Sequence, residues 1–161
     1  TFRGVSVLSA ASNLPRHIVE RQASQAEICM RRQGFVPEVE TSEPASPGKG
    51  TVVFILAQYE HVRAGFTAYG RIGKPAEQVA EEACRAFVRY HKRGQPVDQR
   101  LGDQLLLPLA LANGPTAYAV SVVTQHLLTN AWLIHKFCET KVSISGKERE
   151  RGVVTIQPAS R

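Results

Sequence analysis

One imidazole stands where phosphorus chemistry could be done. His126 follows an apolar run, Ala119-Val120-Ser121-Val122-Val123, that predicts a strand, and precedes a run of Leu127, Leu128, Ala131, Trp132, Ile134 and Phe137 at helical spacing. A histidine on such a boundary sits at the rim of an α/β layer, where βα turns commonly build sites. Neutral imidazole can attack phosphorus, and a helix N-terminus beside it favours phosphate charge. The same residue in the same place can also cap its helix or line the core. One residue does not decide between these readings.

The other reactive side chains narrow the field. Cys29, Cys84 and Cys138 are odd in number and far apart, and no Cys/His cluster has zinc spacing. Secreted domains of this size usually pair their cysteines, so three reduced, mostly buried thiols in an intracellular protein are expected. The compartment expected is the cytoplasm, or the nucleus in a eukaryote. No metal site made of protein ligands alone is expected. A formal charge of +6 and a pI near 9.5 suit a polyanionic partner such as RNA or ATP. The basic residues are dispersed (Arg31-Arg32, Arg89 to Arg93, Lys147 to Arg151), and such runs are usually solvated faces. The longest apolar runs, Leu105–Ala112 and Val52–Ala57, are too short to span a bilayer, and no membrane partner is expected. Nothing at the start reads as a signal peptide, and the first residue, Thr1, suggests that the true start lies upstream.

With 161 residues, 43% of them hydrophobic, the chain can bury one good core or two small ones. Phe2–Ala10 predicts a strand. Asn13 before Pro15 opens a helix that runs to about Gln33 and stops at Gly34. Residues 36–40 alternate weakly as an edge strand, 42–50 form a Pro/Gly loop, 51–58 a buried strand, and 65–70 its neighbour. Pro75 opens a second helix with Val79, Ala83, Phe87 and Tyr90 on one face, ended by Gly94. Residues 1–94 therefore read β-α-β-β-β-α, a small sheet covered by two helices.

From Gln95 the order changes. A helix beginning near Asp98 or Asp103 runs to Ala112 with a kink at Pro108, followed by a strand at 117–123, a helix at 126–138 and a hairpin of 141–145 with 153–157. Trp132, Leu133 and Phe137 are expected in the core. Residues 95–161 read α-β-α-β-β, a split α/β unit whose first strand lies upstream. The fold class expected is α/β (α+β).

Three stretches, Asn-Leu-Pro-Arg-His-Ile-Val-Glu-Arg at 13–21, Asp-Gln-Leu-Leu-Leu-Pro-Leu-Ala-Leu-Ala at 103–112 and Thr-Gln-His-Leu-Leu-Thr-Asn at 124–130, together resemble the RNA 3′-terminal phosphate cyclase family. The helix Pro-Ala-Glu-Gln-Val-Ala-Glu-Glu-Ala at 75–83 adds to the likeness, which covers essentially the whole chain in the family's order. The resemblance implies an ATP-dependent ligase-type enzyme of RNA processing that turns an RNA 3′-phosphate into a 2′,3′-cyclic phosphate. It implies that His126 attacks the α-phosphate of ATP and becomes adenylylated. It also makes Arg100, Leu101, Gly102, Asp103 and Gln104 the nucleotide-binding stretch, with Arg100 where relatives carry a ring. Asp103 and Gln104 would supply an acceptor and an amide to fix a ribose, base or imidazole, unless Asp103 serves as a helix N-cap. Mg2+ would be held mainly by the ATP phosphates.

The family's fold implies a small inserted α/β domain at 1–94. It makes 95–161 the C-terminal part of a core domain of βαβαββ units like the C-terminal domain of translation initiation factor three. The family's N-terminal half, with its Gly-rich Pro-Ala-Gly-Gly-Gly segment and basic cleft residues, has no counterpart in these residues. Low activity and self-association are therefore expected of the chain alone. Two other readings stand beside the enzyme: a non-catalytic cyclase-like factor of ribosome assembly that binds RNA or protein, and an inert folded piece. Retention of His126 with the Asp-Gln pair favours the enzyme, because a scaffold needs no nucleophile.

Overall fold

Alternation along most of the first strand sets up the first layer. The computed structural model describes residues 1–158 and divides into two units, Thr1–Arg89 and Tyr90–Arg161. In the first, β1 (Phe2–Ser12) turns Val5, Val7, Ser9 and Ala11 to the buried face, and β3 (Gly50–Tyr59) and β4 (Arg63–Tyr69) do the same with Val53, Ile55, Ala57, Ala64, Phe66 and Ala68. The sheet order is β2-β1-β3-β4, with β2 (Glu38–Ser42) parallel to β1 at the edge and the other pairs antiparallel. β2 begins two residues later than the alternation at 36–40 suggests. Pro37 lacks an N–H to give to a ladder, and pairing starts just after it.

Two helices cover this face. α1 (Arg16–Arg32) buries Val19, Ala23, Ala26 and Met30, and α2 (Ala76–Arg93) buries Val79, Ala83, Phe87 and, in the second unit, Tyr90. Gly34 at φ +85 and Gly94 at φ +62 end them in the left-handed region, as glycine after a helix does. Pro15 occupies the cap position of α1, while the Asn13 amide instead donates to the carbonyls of Ser46 (2.7 Å) and Gly48 (2.9 Å) and tethers the 43–49 loop. The Phe87 ring meets Phe35 and Phe66 edge-on, with centroids 4.9 and 5.8 Å apart.

Beneath α1 lies one buried polar group. Gln22 Oε1 accepts from Thr51 Oγ1 (2.6 Å) and Ser9 Oγ (3.2 Å), and Nε2 has no partner among the described residues. Both hydroxyls also face carbonyls, those of Ala10 and Val19, at 2.9 Å. Turning the amide over lets Nε2 donate to both hydroxyls while each hydroxyl gives its one proton to a carbonyl, so no donor is left unpaired.

The second unit contains α3 (Leu101–Gln104), α4 (Leu106–Ala110), β5 (Thr116–Val120), α5 (Gln125–Phe137), β6 (Lys141–Ser145) and β7 (Gly152–Gln157). Its sheet has the order β5-β7-β6 and is antiparallel throughout. Leu106, Val120, Leu127, Ile134, Val154 and Ile156 form the centre of its core. Both units mix helices and sheet, so the fold class is α/β in the α+β sense.

Three expectations fail here. No continuous helix runs from 98 or 103 to 112: the break falls at Leu105, between α3 and α4, and not at Pro108. Pro108 is the third residue of α4, in the first turn, where a missing N–H leaves no intrahelical bond unmade. β5 ends at Val120, short of 123. Trp132, Leu133 and Phe137 are 58%, 38% and 83% exposed rather than core. α5 carries apolar residues on more than one face, and the stripe Leu127–Ala131–Ile134 is the one buried, which turns the others outward. No helix among the described residues is long and apolar enough to cross a membrane.

Candidate functional site

The chain leaves β5 at Val120 and reaches α5 through Ser121, Val122 and Val123. Ser121 N donates to the Val97 carbonyl (2.8 Å). Val123 N donates to the Glu150 carbonyl (2.7 Å), and the Val123 carbonyl accepts from Arg149 N (2.8 Å), so the β6–β7 turn buttresses the connection. Thr124 then caps α5: its Oγ1 accepts from Leu127 N at 3.1 Å. Residue 126 is thus freed from the capping role open to it in the sequence, and it is not in the core. His126 is exposed on the second residue of α5, and its ring has no hydrogen-bond partner among the described residues. The backbone N–H groups of Gln125 and His126 belong to the orphan set of a helix start, and they add positive potential beside the ring.

The cap gives a direct expectation. Thr124→Ala lowers stability by about 0.5–2 kcal/mol, whereas Thr124→Asn, which restores a capping oxygen, stays near the parent. Chemical denaturation of the three proteins measures it.

α3, which holds residues 101–104, packs against α5. Asp98, and not Asp103, caps it: Asp98 Oδ1 accepts from Arg100 N (2.7 Å) and Leu101 N (3.1 Å). Asp103, half-buried inside α3, and Gln104, exposed at its end, therefore have side chains uncommitted to capping, and neither makes a hydrogen bond among the described residues. Gly102 is buried against the end of β5. A Cβ there would lie 3.0 Å from Val120 Cγ1, tight enough that the valine would have to yield. The Tyr118 hydroxyl donates to the Gly102 carbonyl at 2.6 Å, and burial, with the Asp103 carboxylate nearby, pushes its pKa up to about 12. Arg100 and Leu101 are exposed. The structure thus sets α3 beside the helix that carries His126 and leaves the polar atoms of 103, 104 and 126 free.

Sequence reasoning missed the β6–β7 turn as a support of this site. Its only trace in the sequence is the alternation of basic and acidic residues from Lys147 to Arg151, which reads as a solvated surface. Among the described residues no cluster of His, Cys, Asp or Glu could hold a metal ion. Cys29, Cys84 and Cys138 are free; Cys84 is buried, and that burial, with Cys29 beside it, pushes its pKa up to about 12.

Residues 1–92 match the description "RNA 3′-terminal phosphate cyclase (RTC), insert domain". The chain belongs to the RNA 3′-terminal phosphate cyclase family. Curated relatives called RNA 3′-terminal phosphate cyclase align along nearly all of it. That of Methylococcus capsulatus is 40% identical over 97% of this chain and 43% of its own length. Those of Trichormus variabilis and Methanopyrus kandleri are both 39% identical, over 92% and 98% of this chain and 42% and 47% of their own lengths. The chain therefore spans less than half the length of these cyclases, and the similarity continues through the unit that holds His126.

Proposed function

We propose that the protein carrying this chain uses ATP to convert an RNA 3′-phosphate into a 2′,3′-cyclic phosphate through a His126–AMP intermediate. The observation that carries this reading is His126 itself: exposed, unpartnered, at the amide-rich start of α5, with α3 packed beside that helix. Relatives called RNA 3′-terminal phosphate cyclase align through this residue.

The chemistry runs in three displacements at phosphorus. A ring nitrogen of His126 attacks the α-phosphorus of ATP, an N–P bond forms, and pyrophosphate leaves. An oxygen of the RNA 3′-phosphate then attacks the same phosphorus, and the imidazole leaves with its bonding pair. Finally the neighbouring 2′-hydroxyl attacks the RNA phosphorus, gives up its proton and expels AMP. Splitting one difficult transfer this way is the usual gain of a covalent nucleophile. In this reading Gln104 donates to, and Asp103 accepts from, groups of the nucleotide or the imidazole. The exposed Arg100 guanidinium lies against the base or phosphates, and Leu101 and Gly102 shape the floor. Magnesium would be held mainly by the ATP phosphates and would neutralise their charge, since such an ion takes few protein carboxylates. The three free thiols fit a reducing compartment, the cytoplasm or nucleus.

Single Asp103→Ala and Gln104→Ala substitutions separate this reading from a structural one. Since Asp98 does the capping, stability should change by no more than about 0.5 kcal/mol in the exposed Gln104 case. Adenylylation should fall by roughly tenfold to a hundredfold in each, the usual cost of mispositioned phosphates. Labelling with α-labelled ATP, alongside melting curves, gives both numbers. Parallel losses of melting temperature and label would return the two residues to a structural role.

A further inference from the structure

We propose that Arg93 is a positioning residue for the His126 junction: its guanidinium joins the Ser121 and Arg149 carbonyls and thereby fixes where the β5–α5 connection presents the imidazole. The inference rests on His126 being the nucleophile.

Arg93 is the last residue of α2 and belongs to the second unit. Its Nη1 donates to the Ser121 carbonyl at 2.8 Å and to the Arg149 carbonyl at 3.3 Å. That nitrogen carries two protons, one for each acceptor. No carboxylate pairs with Arg93 among the described residues, so its charge is spent on two backbone oxygens. Charge-assisted bonds of this kind are stronger than neutral ones.

The two carbonyls belong to the segments that must stay in register for His126 to hold still. Ser121 is 3% exposed, and its N–H is already committed to Val97. Val123 exchanges both of its backbone bonds with the 149–150 turn. Gly152, where that turn rejoins β7, lies so close that a Cβ would come within 2.5 Å of Val123 Cγ2. Arg149 adopts φ +69, a conformation that a non-glycine residue keeps only when its surroundings impose it. Arg93 thus closes a ring of backbone bonds, from Ser121 through Val123 to Glu150 and Arg149 and back. This ring surrounds the three residues that precede the Thr124 cap. With Arg93 removed, the buried Ser121 carbonyl loses its charged donor, and the turn and the connection lose their cross-brace. None of the residues in the brace belongs to the 100–104 stretch assigned to the nucleotide, so its loss should slow the chemical step and leave ATP binding alone.

The test uses the full-length protein that contains this chain. Single-turnover formation of protein–AMP is followed with α-labelled ATP and magnesium at several ATP concentrations, for the parent, Arg93→Met, Arg93→Lys and His126→Ala. Arg93→Met should lower the limiting rate roughly tenfold to a hundredfold, the scale expected for misplacing a reacting group by about 1 Å. The ATP concentration giving half the limiting rate should stay within about threefold, since binding contacts are untouched. Arg93→Lys, which keeps the charge and enough protons but stops short of the Nη1 position, should fall between parent and Met. If Arg93→Met does not fold, Arg93→Lys alone decides: a reduced rate at unchanged half-saturation supports the inference. A parental rate in the folded variant, or a half-saturation that rises in step with the loss, overturns it. If His126→Ala still takes label, the nucleophile reading fails. If His126→Ala stays dark while Arg93→Met reacts as the parent does, only the positioning role fails.

Discussion

In the full-length protein, His126→Ala takes no label from α-labelled ATP and forms no cyclic end on RNA. Removing a sole nucleophile can cost on the order of 10^6 in rate, so the expected result is absence of adduct, not a modest decline. The parent adduct should be acid-labile and alkali-stable, as a phosphoramidate is, and should map to the tryptic peptide 101–136. That peptide also contains His135, whose Nε2 lies 3.2 Å from the Val142 carbonyl and is thereby engaged, whereas the His126 ring is free. Fragmentation of the labelled peptide separates the two. The substitution is close to a clean deletion. Residue 126 is exposed, Thr124 holds the cap, and alanine is a good helix former, so stability should stay within about 0.5 kcal/mol of the parent. Label that persists in His126→Ala, or maps to a lysine, would sink the assignment.

The legible parts of this protein were those written in short-range pattern. α1 and α2 announce themselves by apolar spacing and by Gly34 and Gly94, whose positive φ values are what a helix stop needs. β1, β3 and β4 follow from alternation, and the boundary that carries His126 follows from the change of period around Thr124. What stayed hidden was competition between equally apolar choices. The apolar pattern up to Ala112 reads as one helix, whereas the chain breaks at Leu105 into α3 and α4. α5 offers two apolar stripes and the sheet accepts one, which put Trp132 and Phe137 outside. Asp98 and Asp103 both look like caps, and only the fold shows that Asp98 takes the role. The brace around Ser121–Val123 is harder still to read. Its bonds join an arginine to carbonyls 28 and 56 positions away, and a backbone carbonyl carries no sequence signature.

The 161-residue chain by itself should fold, associate with itself and cyclise no RNA. Folding is expected because the first unit has a four-stranded sheet with both helices packed and a continuous core around Phe87, and the second has its own core around Leu106, Leu127 and Ile156. Association is expected because α4 with its C-cap Leu111, and α5, which lies against α4, expose Leu107, Leu111, Trp132, Leu133 and Phe137. Apolar side chains exposed in such number tend to be covered wherever they adjoin one another. Among the described residues the β5-β7-β6 sheet also leaves β5 and β6 paired on one side only, apart from the bridge from Val97 to Val120, and open edges invite pairing. Phe137→Glu should shift the population toward monomer without lowering stability, since the ring is 83% exposed. Inactivity is expected because phosphoryl transfer depends on positioning, and the described residues offer the exposed His126 imidazole, a helix start and the uncommitted Asp103 and Gln104 side chains but no phosphate-cradling loop. Relatives with more than twice the aligned length have the room to supply one. Light scattering and a cyclisation assay on RNA ending in a 3′-phosphate, run on this chain and on the full-length protein, decide both halves. A strict monomer that consumes ATP and cyclises RNA as fast as the full-length protein would show that these residues already hold the whole site. The dependence on a further phosphate-binding shell would then be wrong.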